Sequence, residues 1–156
     1  MRVMFVCHGN ICRSPMAEFL FKDMLSRRGI TDITVLSSAT SSDEIYRGVG
    51  NPVYPPARAK LEEAGISCAN KRAQQLRVED YPNFDFFIGM DSANIRNMQR
   101  LFGGDPQRKI RKLMEYTARG GDVADPWYSG DFDRAFSDIK AGCKALYFAL
   151  LGEEYE

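Results

Sequence analysis

A cysteine and an arginine stand close together near the amino terminus, separated by small and polar residues. Cys7 precedes Arg13 in the chain, with Gly9 and Asn10 between them. A thiolate is a strong nucleophile, and the planar guanidinium group can hold two oxygens of one oxyanion. The spacing predicts a site where Cys7 attacks the phosphorus of a bound phosphate ester while Arg13 holds its oxygens.

The elements around this segment also favour an anion. The apolar run Arg2–Cys7 predicts a strand buried on both faces, and Ser14 followed by Pro15 predicts the start of a helix that runs up to Gly29. A helix start offers unpaired N–H groups and the positive end of the helix dipole. A glycine-containing loop before that start can direct several N–H groups to one point, which would also stabilise the Cys7 thiolate.

Two polar loop residues are predicted to support the reacting groups. The hydroxyl of Ser14 is expected to donate a hydrogen bond to the Cys7 thiolate, to cap the helix, or to do both, and the sequence leaves these roles open. Asn10 tolerates the left-handed backbone conformation that a tight loop requires, where most residues would be strained. Both residues are therefore expected to maintain the shape of the loop.

A proton donor is needed opposite the nucleophile, because the oxygen that leaves a phosphate monoester is a poor leaving group. Asp125 is the candidate, since it begins the segment Asp125-Pro-Trp-Tyr128 in an irregular stretch before the last helix. The same carboxylate would then activate water against the phosphocysteine. Trp127 and Tyr128 are interpreted either as aromatic packing or as the lining of a cleft.

The remaining thiols and the imidazole have separate interpretations. Cys12 is either a small loop side chain or a redox partner that captures an oxidised Cys7 as a disulfide and prevents irreversible oxidation. Cys68 and Cys143 are expected to pack as small apolar groups. His8 is the only histidine, and the cysteine spacing matches no zinc pattern. The sequence therefore predicts no metal and no cofactor.

Strand and helix patterns alternate along the chain, which favours parallel strands joined by helical, right-handed crossovers. The predicted fold is α/β: a single-domain, three-layer αβα arrangement with a four-stranded parallel sheet flanked by helices and a phosphate-binding loop after the first strand. The irregular stretches 40–55 and 117–130 are candidate walls of the site. Strands are predicted at 2–7, 33–38, 84–90 and 109–114, and helices at 14–29, 56–64, 92–102 and 132–151.

Length and composition indicate one ordinary globular domain. Of the 156 residues, 44% are hydrophobic and 27% are charged. Lysine plus arginine equals aspartate plus glutamate at 21 each, so no basic field is available to a nucleic acid. Neither a signal peptide nor a membrane-spanning run is recognised, and the four cysteines are expected to be reduced. We therefore predict a cytoplasmic monomer, one domain over residues 1–156, without nucleic-acid or membrane partners.

Two segments resemble the motifs of a known family. Cys7-His-Gly-Asn-Ile-Cys-Arg-Ser-Pro15 and Asp125-Pro-Trp-Tyr128 are similar to those of the low-molecular-weight protein tyrosine phosphatases. The resemblance covers nearly the whole chain. It implies metal-free hydrolysis of phosphotyrosine and small aryl phosphates through a phosphocysteine on Cys7, with Arg13 binding phosphate and Asp125 as general acid and base.

The resemblance also implies the substrate contacts. In related enzymes that act on phosphoarginine, the residue before the second loop cysteine is typically threonine, so Ile11 favours phosphotyrosine. Within the segment 43–50, Tyr46 is the candidate for an aromatic residue that borders the cleft in this family. Phosphotyrosine-containing proteins would be partners, and inorganic phosphate or other oxyanions would be product-like ligands. The residues expected to surround the phosphate are His8, Gly9, Asn10, Ile11, Cys12, Arg13 and Ser14.

Three other functions were compared with this interpretation. An arsenate reductase of the same fold would need further cysteines placed to relay a disulfide, and Cys68 and Cys143 lack the close pairing expected of such a relay. A phosphocysteine carrier would keep its phosphoryl group, and the presence of Asp125 argues against that role. A noncatalytic phosphopeptide-binding module would lack the nucleophile or the acid.

Overall fold

The computed structural model describes all residues from 1 to 156. Four parallel strands form the central sheet, and a short antiparallel pair lies outside it. The strands are β1 (Arg2–Cys7), β2 (Thr34–Ala39), β3 (Ile45–Tyr46), β4 (Val49–Gly50), β5 (Phe86–Gly89) and β6 (Ile110–Lys112). The order across the central sheet is β2-β1-β5-β6.

Five α-helices and two 3₁₀ turns connect the strands. The helices are α1 (Arg13–Arg27), α2 (Pro55–Glu63), α3 (Ser92–Phe102), α4 (Pro126–Ser129) and α5 (Phe132–Leu151), and the 3₁₀ turns span Val78–Asn83 and Leu113–Tyr116. The prediction of an α/β fold with a four-stranded parallel sheet flanked by helices is confirmed. None of the helices combines the length and the apolar character that crossing a bilayer requires.

Helices cover both faces of the sheet, so β1 contributes side chains to two cores. Val3, Phe5 and Cys7 belong to a large cluster of 28 buried residues that includes those of α1 and α5. Met4 and Val6 belong to a cluster of 7 buried residues on the α3 side. Alternate side chains of a strand point to opposite faces, which is why an apolar run without alternation was needed here.

The strand order places the end of β1 at a crevice. The crossover through α1 leads from β1 to β2, whereas the crossover through α3 leads from β5 to β6 on the other side of β1. Ligands of open parallel sheets bind where the strand order reverses in this way, beyond the carboxyl ends of the strands. Cys7, the last residue of β1, lies at that point.

Some predicted boundaries are wrong. The strand predicted at 109–114 ends at Lys112, because residues from Leu113 onward turn into a 3₁₀ helix. The stretch 40–55 contains the β3–β4 hairpin, and the stretch 117–130 contains the single turn of α4. The first helix begins at Arg13, one residue before the predicted cap Ser14, and no side chain caps it.

Candidate active site

The segment between β1 and α1 is a tight loop around the sulfur of Cys7. We call residues 7–14 the Cys7 loop. The backbone N–H groups of Asn10 and Ser14 point at Cys7 Sγ, with distances of 3.3 Å and 3.4 Å from the nitrogens. Asn10 adopts a positive φ of 60°, which asparagine accepts more readily than most residues. The loop therefore directs two N–H dipoles at the sulfur of Cys7.

The side chain of Ser14 contacts the thiol instead of capping the helix. Its Oγ lies 2.9 Å from Cys7 Sγ and accepts a hydrogen bond of 2.8 Å from Asn10 Nδ2. Since Asn10 occupies a lone pair of this oxygen, the hydroxyl proton is free to point toward the sulfur. Of the two roles that the sequence left open for Ser14, helix capping is wrong because no side chain caps α1.

A buried hydrogen-bond chain continues from Asn10 into the core. Its Nδ2 also donates to Ser37 Oγ at 2.9 Å, and that hydroxyl donates to Glu18 Oε1 at 2.5 Å. Lys71 Nζ lies 3.4 Å from the same carboxylate and donates to the carbonyl of Ser37 at 2.9 Å. Each of these side chains is at least nine-tenths buried, so the network fixes the Cys7 loop from behind.

Burial and charge act against each other at Lys71. Removal from water lowers the pKa of its ammonium group, and the Glu18 carboxylate opposes that effect. Glu18 also accepts a hydrogen bond from Lys22 across one turn of α1. The buried carboxylate of Glu18 therefore has two lysine neighbours and a hydroxyl donor as partners.

The guanidinium group of Arg13 is buried, and carboxylates hold it. Nη1 donates to Asp91 Oδ2 and to the carbonyl oxygen of Val123, both at 2.8 Å. Nη2 lies 3.6 Å from Asp125 Oδ2. Burial disfavours the charged form, but Cys7, Asp91 and Asp125 outweigh it and raise the pKa of Arg13. The cation is therefore fixed beside the Cys7 loop.

Asp125 lies at the start of α4, opposite the loop. Its Oδ1 accepts a hydrogen bond from the backbone N–H of Trp127 at 3.0 Å, which caps the single turn of that helix. Pro126 occupies the first helical position, where its missing N–H costs nothing. The capping bond fixes the carboxylate, and 27% of the side chain stays exposed to the cleft and solvent.

A cleft of about 160 Å³ opens above Cys7. It brings together the predicted nucleophile, clamp, acid and both aromatic residues of the α4 turn. Asn10 and Ser14 were expected among the residues around the phosphate, but they lie behind the wall of the cleft, where they hydrogen-bond to each other and Ser14 contacts Cys7 Sγ. The residues that line the cleft are Cys7, His8, Gly9, Ile11, Cys12, Arg13, Asp43, Glu44, Asp125, Trp127 and Tyr128.

The structure does not bring Tyr46 to the cleft. This residue lies in the β3–β4 hairpin with 72% of its surface exposed, and its ring contacts the guanidinium group of Arg47. Asp43 and Glu44 from the start of the same segment line the cleft instead. The expected aromatic border therefore comes from Trp127 and Tyr128, and the segment 43–50 contributes carboxylates.

The other thiols differ from Cys7 in their surroundings. Burial, followed by the negative charge of Cys7, raises the pKa of Cys12 to about 12. Burial also raises the pKa of Cys68 and of Cys143. The latter two are buried in the large core as small apolar groups, in agreement with the sequence interpretation.

Several residues of the site were not identified from the sequence. Asp91 holds Arg13, Glu18 and Lys71 end the buried network, and Asp43 pairs with His8 at 2.9 Å. Nothing in the sequence distinguished Lys71 and Glu18 from charged surface residues. Asp91 could have been identified, because it follows a buried strand and therefore lies at the same edge of the sheet as Cys7. No group of three or more His, Cys, Asp or Glu side chains is arranged to hold a metal ion.

The fold and the loop define an α/β protein with a tight turn between its first strand and first helix, in which backbone N–H groups converge on one cysteine. A sequence model of the family described as low molecular weight phosphotyrosine protein phosphatase matches residues 2–155. The chain therefore belongs to this family.

Individual relatives agree with that assignment. The low molecular weight protein-tyrosine-phosphatase YfkJ of Bacillus subtilis is 34% identical, with 97% of each chain covered, and its crystal structure gives a TM-score of 0.91 over 97% of this chain and 95% of that chain. The low molecular weight phosphotyrosine protein phosphatase of Sus scrofa is 33% identical over 92% of each chain. A Drosophila arginine phosphatase is 26% identical, with a TM-score of 0.86 over 99% of this chain and all of the other.

Proposed function

We propose that this enzyme hydrolyses phosphotyrosine in proteins, and small aryl phosphates, through a phosphocysteine formed on Cys7. The observation that carries the proposal is the arrangement around Cys7 Sγ, where two backbone N–H groups and the Ser14 hydroxyl converge on one sulfur. Such donors stabilise a thiolate and then stabilise it again as the leaving group of the second step. A cysteine that served only as a packing residue would not need three hydrogen-bonding groups directed at its sulfur.

In the first step, Cys7 attacks phosphorus in line with the ester oxygen. The S–P bond forms as the P–O bond to the tyrosine breaks, and Asp125 gives its proton to the departing phenolate. Arg13 and the N–H groups of the loop hold the three remaining phosphate oxygens. Because Nη1 of Arg13 is engaged by Asp91 and Val123, Nε and Nη2 are the donors left for two oxygens.

In the second step, water attacks the phosphocysteine. Asp125, now ionised, takes a proton from the water as the new P–O bond forms, and the S–P bond breaks to return the Cys7 thiolate and release inorganic phosphate. The hydrogen bond from the Ser14 hydroxyl lowers the energy of the departing sulfur anion. No electrons are gained or lost in the cycle.

The cleft walls support an aryl phosphate as substrate. Trp127 and Tyr128 line the cleft with 54% and 85% of their surfaces exposed, and Ile11 of the Cys7 loop adds an apolar side chain to its lining. A planar ring between such side chains buries apolar area on both faces. Phosphorylated proteins are the partners that this function requires, and inorganic phosphate and other oxyanions are product-like ligands.

We also propose a redox role for Cys12, which lines the same cleft as Cys7. Peroxide oxidises the Cys7 thiolate to a sulfenic acid, and attack by the Cys12 thiolate forms a disulfide with release of hydroxide. An external thiol then reduces the disulfide to the starting state. This reaction protects the nucleophile from further, irreversible oxidation.

The test uses matched peptides that carry phosphotyrosine, phosphoserine or phosphoarginine at one position. We expect metal-free enzyme to hydrolyse the phosphotyrosine peptide selectively and the Cys7→Ser variant to be inactive. Asp125→Asn should lower kcat by roughly a factor of 10² to 10⁴ while phosphate still binds. Preferred turnover of phosphoarginine, or full activity in Cys7→Ser, would contradict the proposal.

A further inference from the structure

A second cavity, which we call the side cavity, lies next to the cleft and shares part of its wall. Its volume is about 460 Å³, and its lining includes residues 52–55, which lead into α2. Ile11, Glu44 and Trp127 belong to both cavities. A peptide whose phosphorylated residue occupies the cleft therefore has this cavity beside its neighbouring side chains.

The wall of the side cavity is apolar and aromatic. The ring of Tyr54 lies 4.8 Å from that of Trp127 and 6.0 Å from that of Phe132, measured between centroids. Pro52 and Val53 extend the apolar surface toward the hairpin. Such a surface suits an aliphatic stem, and the exposed face of an indole ring attracts a cation.

The charges of the side cavity leave one carboxylate without a partner. Arg58 and Glu62 lie on its wall and neutralise each other, with Arg58 Nε 2.6 Å from Glu62 Oε1. Glu44, half-buried at the boundary of the two cavities, forms no ion pair and no side-chain hydrogen bond. The side cavity therefore has a net negative charge centred on Glu44.

The carboxylate of Glu44 disfavours the binding of a phosphate group that has no positive charge beside it. A Cβ atom placed on Gly9 would lie 3.2 Å from Glu44 Cγ, so this side chain packs directly over the Cys7 loop. A carboxylate there repels the phosphate dianion that the loop is built to hold. A positive group on the substrate would remove that penalty, because it would neutralise Glu44 when the phosphate binds.

We propose that the side cavity is a subsite for a lysine or arginine side chain adjacent to the phosphotyrosine, with Glu44 as its ionic partner. The stem of the basic residue packs on residues 52–55, and its cation lies between Glu44 and the face of Trp127. The inference rests on the proposed hydrolysis of phosphotyrosine and extends it to the sequence around the phosphorylated residue.

The test measures kcat/KM for phosphotyrosine peptides in which one position, from two before to two after the phosphotyrosine, carries lysine or glutamine. We expect lysine to be favoured about tenfold at one or two positions, and the preference to weaken as salt is added. Glu44→Gln should bring the lysine-to-glutamine ratio close to one. The matched control is Asp43→Asn, which removes a neighbouring carboxylate that is hydrogen-bonded to His8 and does not line the side cavity; this variant should retain the ratio.

The ratio of kcat/KM between lysine and glutamine peptides reports on the subsite alone, because any change in the chemical step affects both peptides equally. Normal turnover with a ratio near one at every position would overturn the subsite and leave the phosphatase function intact. Absence of turnover for all phosphotyrosine peptides would overturn both. A dependence on Glu44 seen only with phosphoarginine peptides would also overturn the subsite, since the cation would then belong to the phosphorylated residue itself.

Discussion

Cys7 and Cys12 line one cleft, yet their thiols face different surroundings. Cys7 Sγ receives two backbone N–H groups and a hydroxyl contact, whereas Cys12 Sγ forms no hydrogen bond. Burial and then the charge of Cys7 raise the pKa of Cys12 to about 12. At neutral pH only a minute fraction of Cys12 is therefore thiolate, which keeps it inert until Cys7 is oxidised.

This difference predicts the pH dependence of disulfide formation. Once peroxide has converted Cys7 to the sulfenic acid, the rate of attack by Cys12 should rise about tenfold per pH unit between pH 6 and 9, because the thiolate fraction grows by that factor below the pKa. Brief peroxide treatment, removal of peroxide, and mass spectrometry of sulfenic acid trapped at intervals would measure it. In Cys12→Ser, recovery of activity by thiol should be poor, and Cys68→Ser is the control.

A rate independent of pH would show that Cys12 is not the attacking thiol. Equal recovery of Cys12→Ser and the unmodified enzyme would show that the disulfide has no protective role.

At the scale of single residues, the sequence predicted the candidate reacting groups and two supporting residues within the loop, but not the residues from distant elements that hold them. Cys7, Arg13 and Asp125 were identified because their chemistry follows from residue type and from flanking signals. The contact from Arg13 to Asp91 joins residues 78 positions apart, and the contact from Asn10 to Ser37 joins residues 27 apart. Such contacts depend on strand register, which is set by the whole sheet.

Among the elements, the β3–β4 hairpin depends on one close backbone approach. The Ala73 N–H donates to the carbonyl of Asn51 at 2.9 Å, and a Cβ atom on Gly50 would lie only 1.9 Å from the carbonyl oxygen of Ala73. The hairpin follows directly after Asp43 and Glu44, which line the cleft. The absence of a side chain at Gly50 therefore lets the hairpin pack against the backbone of Ala73, and this packing holds Asp43 and Glu44 in place at the cleft.

Gly50→Ala should push the hairpin away from Ala73, because the obstructing atom belongs to the backbone and cannot rotate away. We expect a loss of roughly 1 to 3 kcal/mol in the free energy of unfolding, and a larger fall in kcat/KM for phosphopeptides than for a small aryl phosphate. Urea unfolding and steady-state kinetics measure the two effects. Val49→Ala, an exposed change in the same hairpin, is the control, and identical behaviour of the two variants would contradict the role of Gly50.

The hairpin also shows which kind of element could not be predicted from the sequence. The continuous apolar run of β1 and the helical periodicity of α5 were strong signals, and the predicted bounds of both elements agree with the structure. The hairpin has strands of two residues each, too short for an alternating pattern to be recognised. Its turn, with positive φ at Arg47 and at Gly48, directs Tyr46 away from the cleft.

Over the whole molecule, the larger core contains a polar line that runs from the cleft to its interior. It passes from Cys7 through Ser14, Asn10 and Ser37 to Glu18. The alternation of strands and helices predicted the two layers that enclose this line, but not that a lysine would end it. That residues 1–156 form one domain, and that the protein is a cytoplasmic monomer, stay predictions.

The buried pair of Glu18 and Lys71 is expected to stabilise the native state only as a pair. Glu18→Gln leaves the Lys71 ammonium buried without its carboxylate, and we expect a loss of about 3 to 5 kcal/mol in the free energy of unfolding at pH 7. Replacing both residues, as Glu18→Gln with Lys71→Met, should recover most of that loss because no buried charge remains. Urea unfolding of the two variants and of the unmodified protein gives the comparison.

The pH dependence of that loss has a definite sign. Burial lowers the pKa of Lys71 in the folded state, so above that pKa the folded chain has released a proton that the unfolded chain keeps up to about pH 10.4. The unfolded state then binds more protons, and stability rises with pH. Glu18→Gln removes the carboxylate that opposes the effect of burial, so the pKa of Lys71 falls further in the variant and its stability rises from a lower pH than that of the unmodified protein. The deficit of Glu18→Gln should therefore shrink between pH 7 and pH 10, whereas Glu62→Gln, which breaks the exposed pair with Arg58, should show a much smaller and flatter effect. A deficit of Glu18→Gln that stays constant over this range would mean that Lys71 is not the group left unpaired.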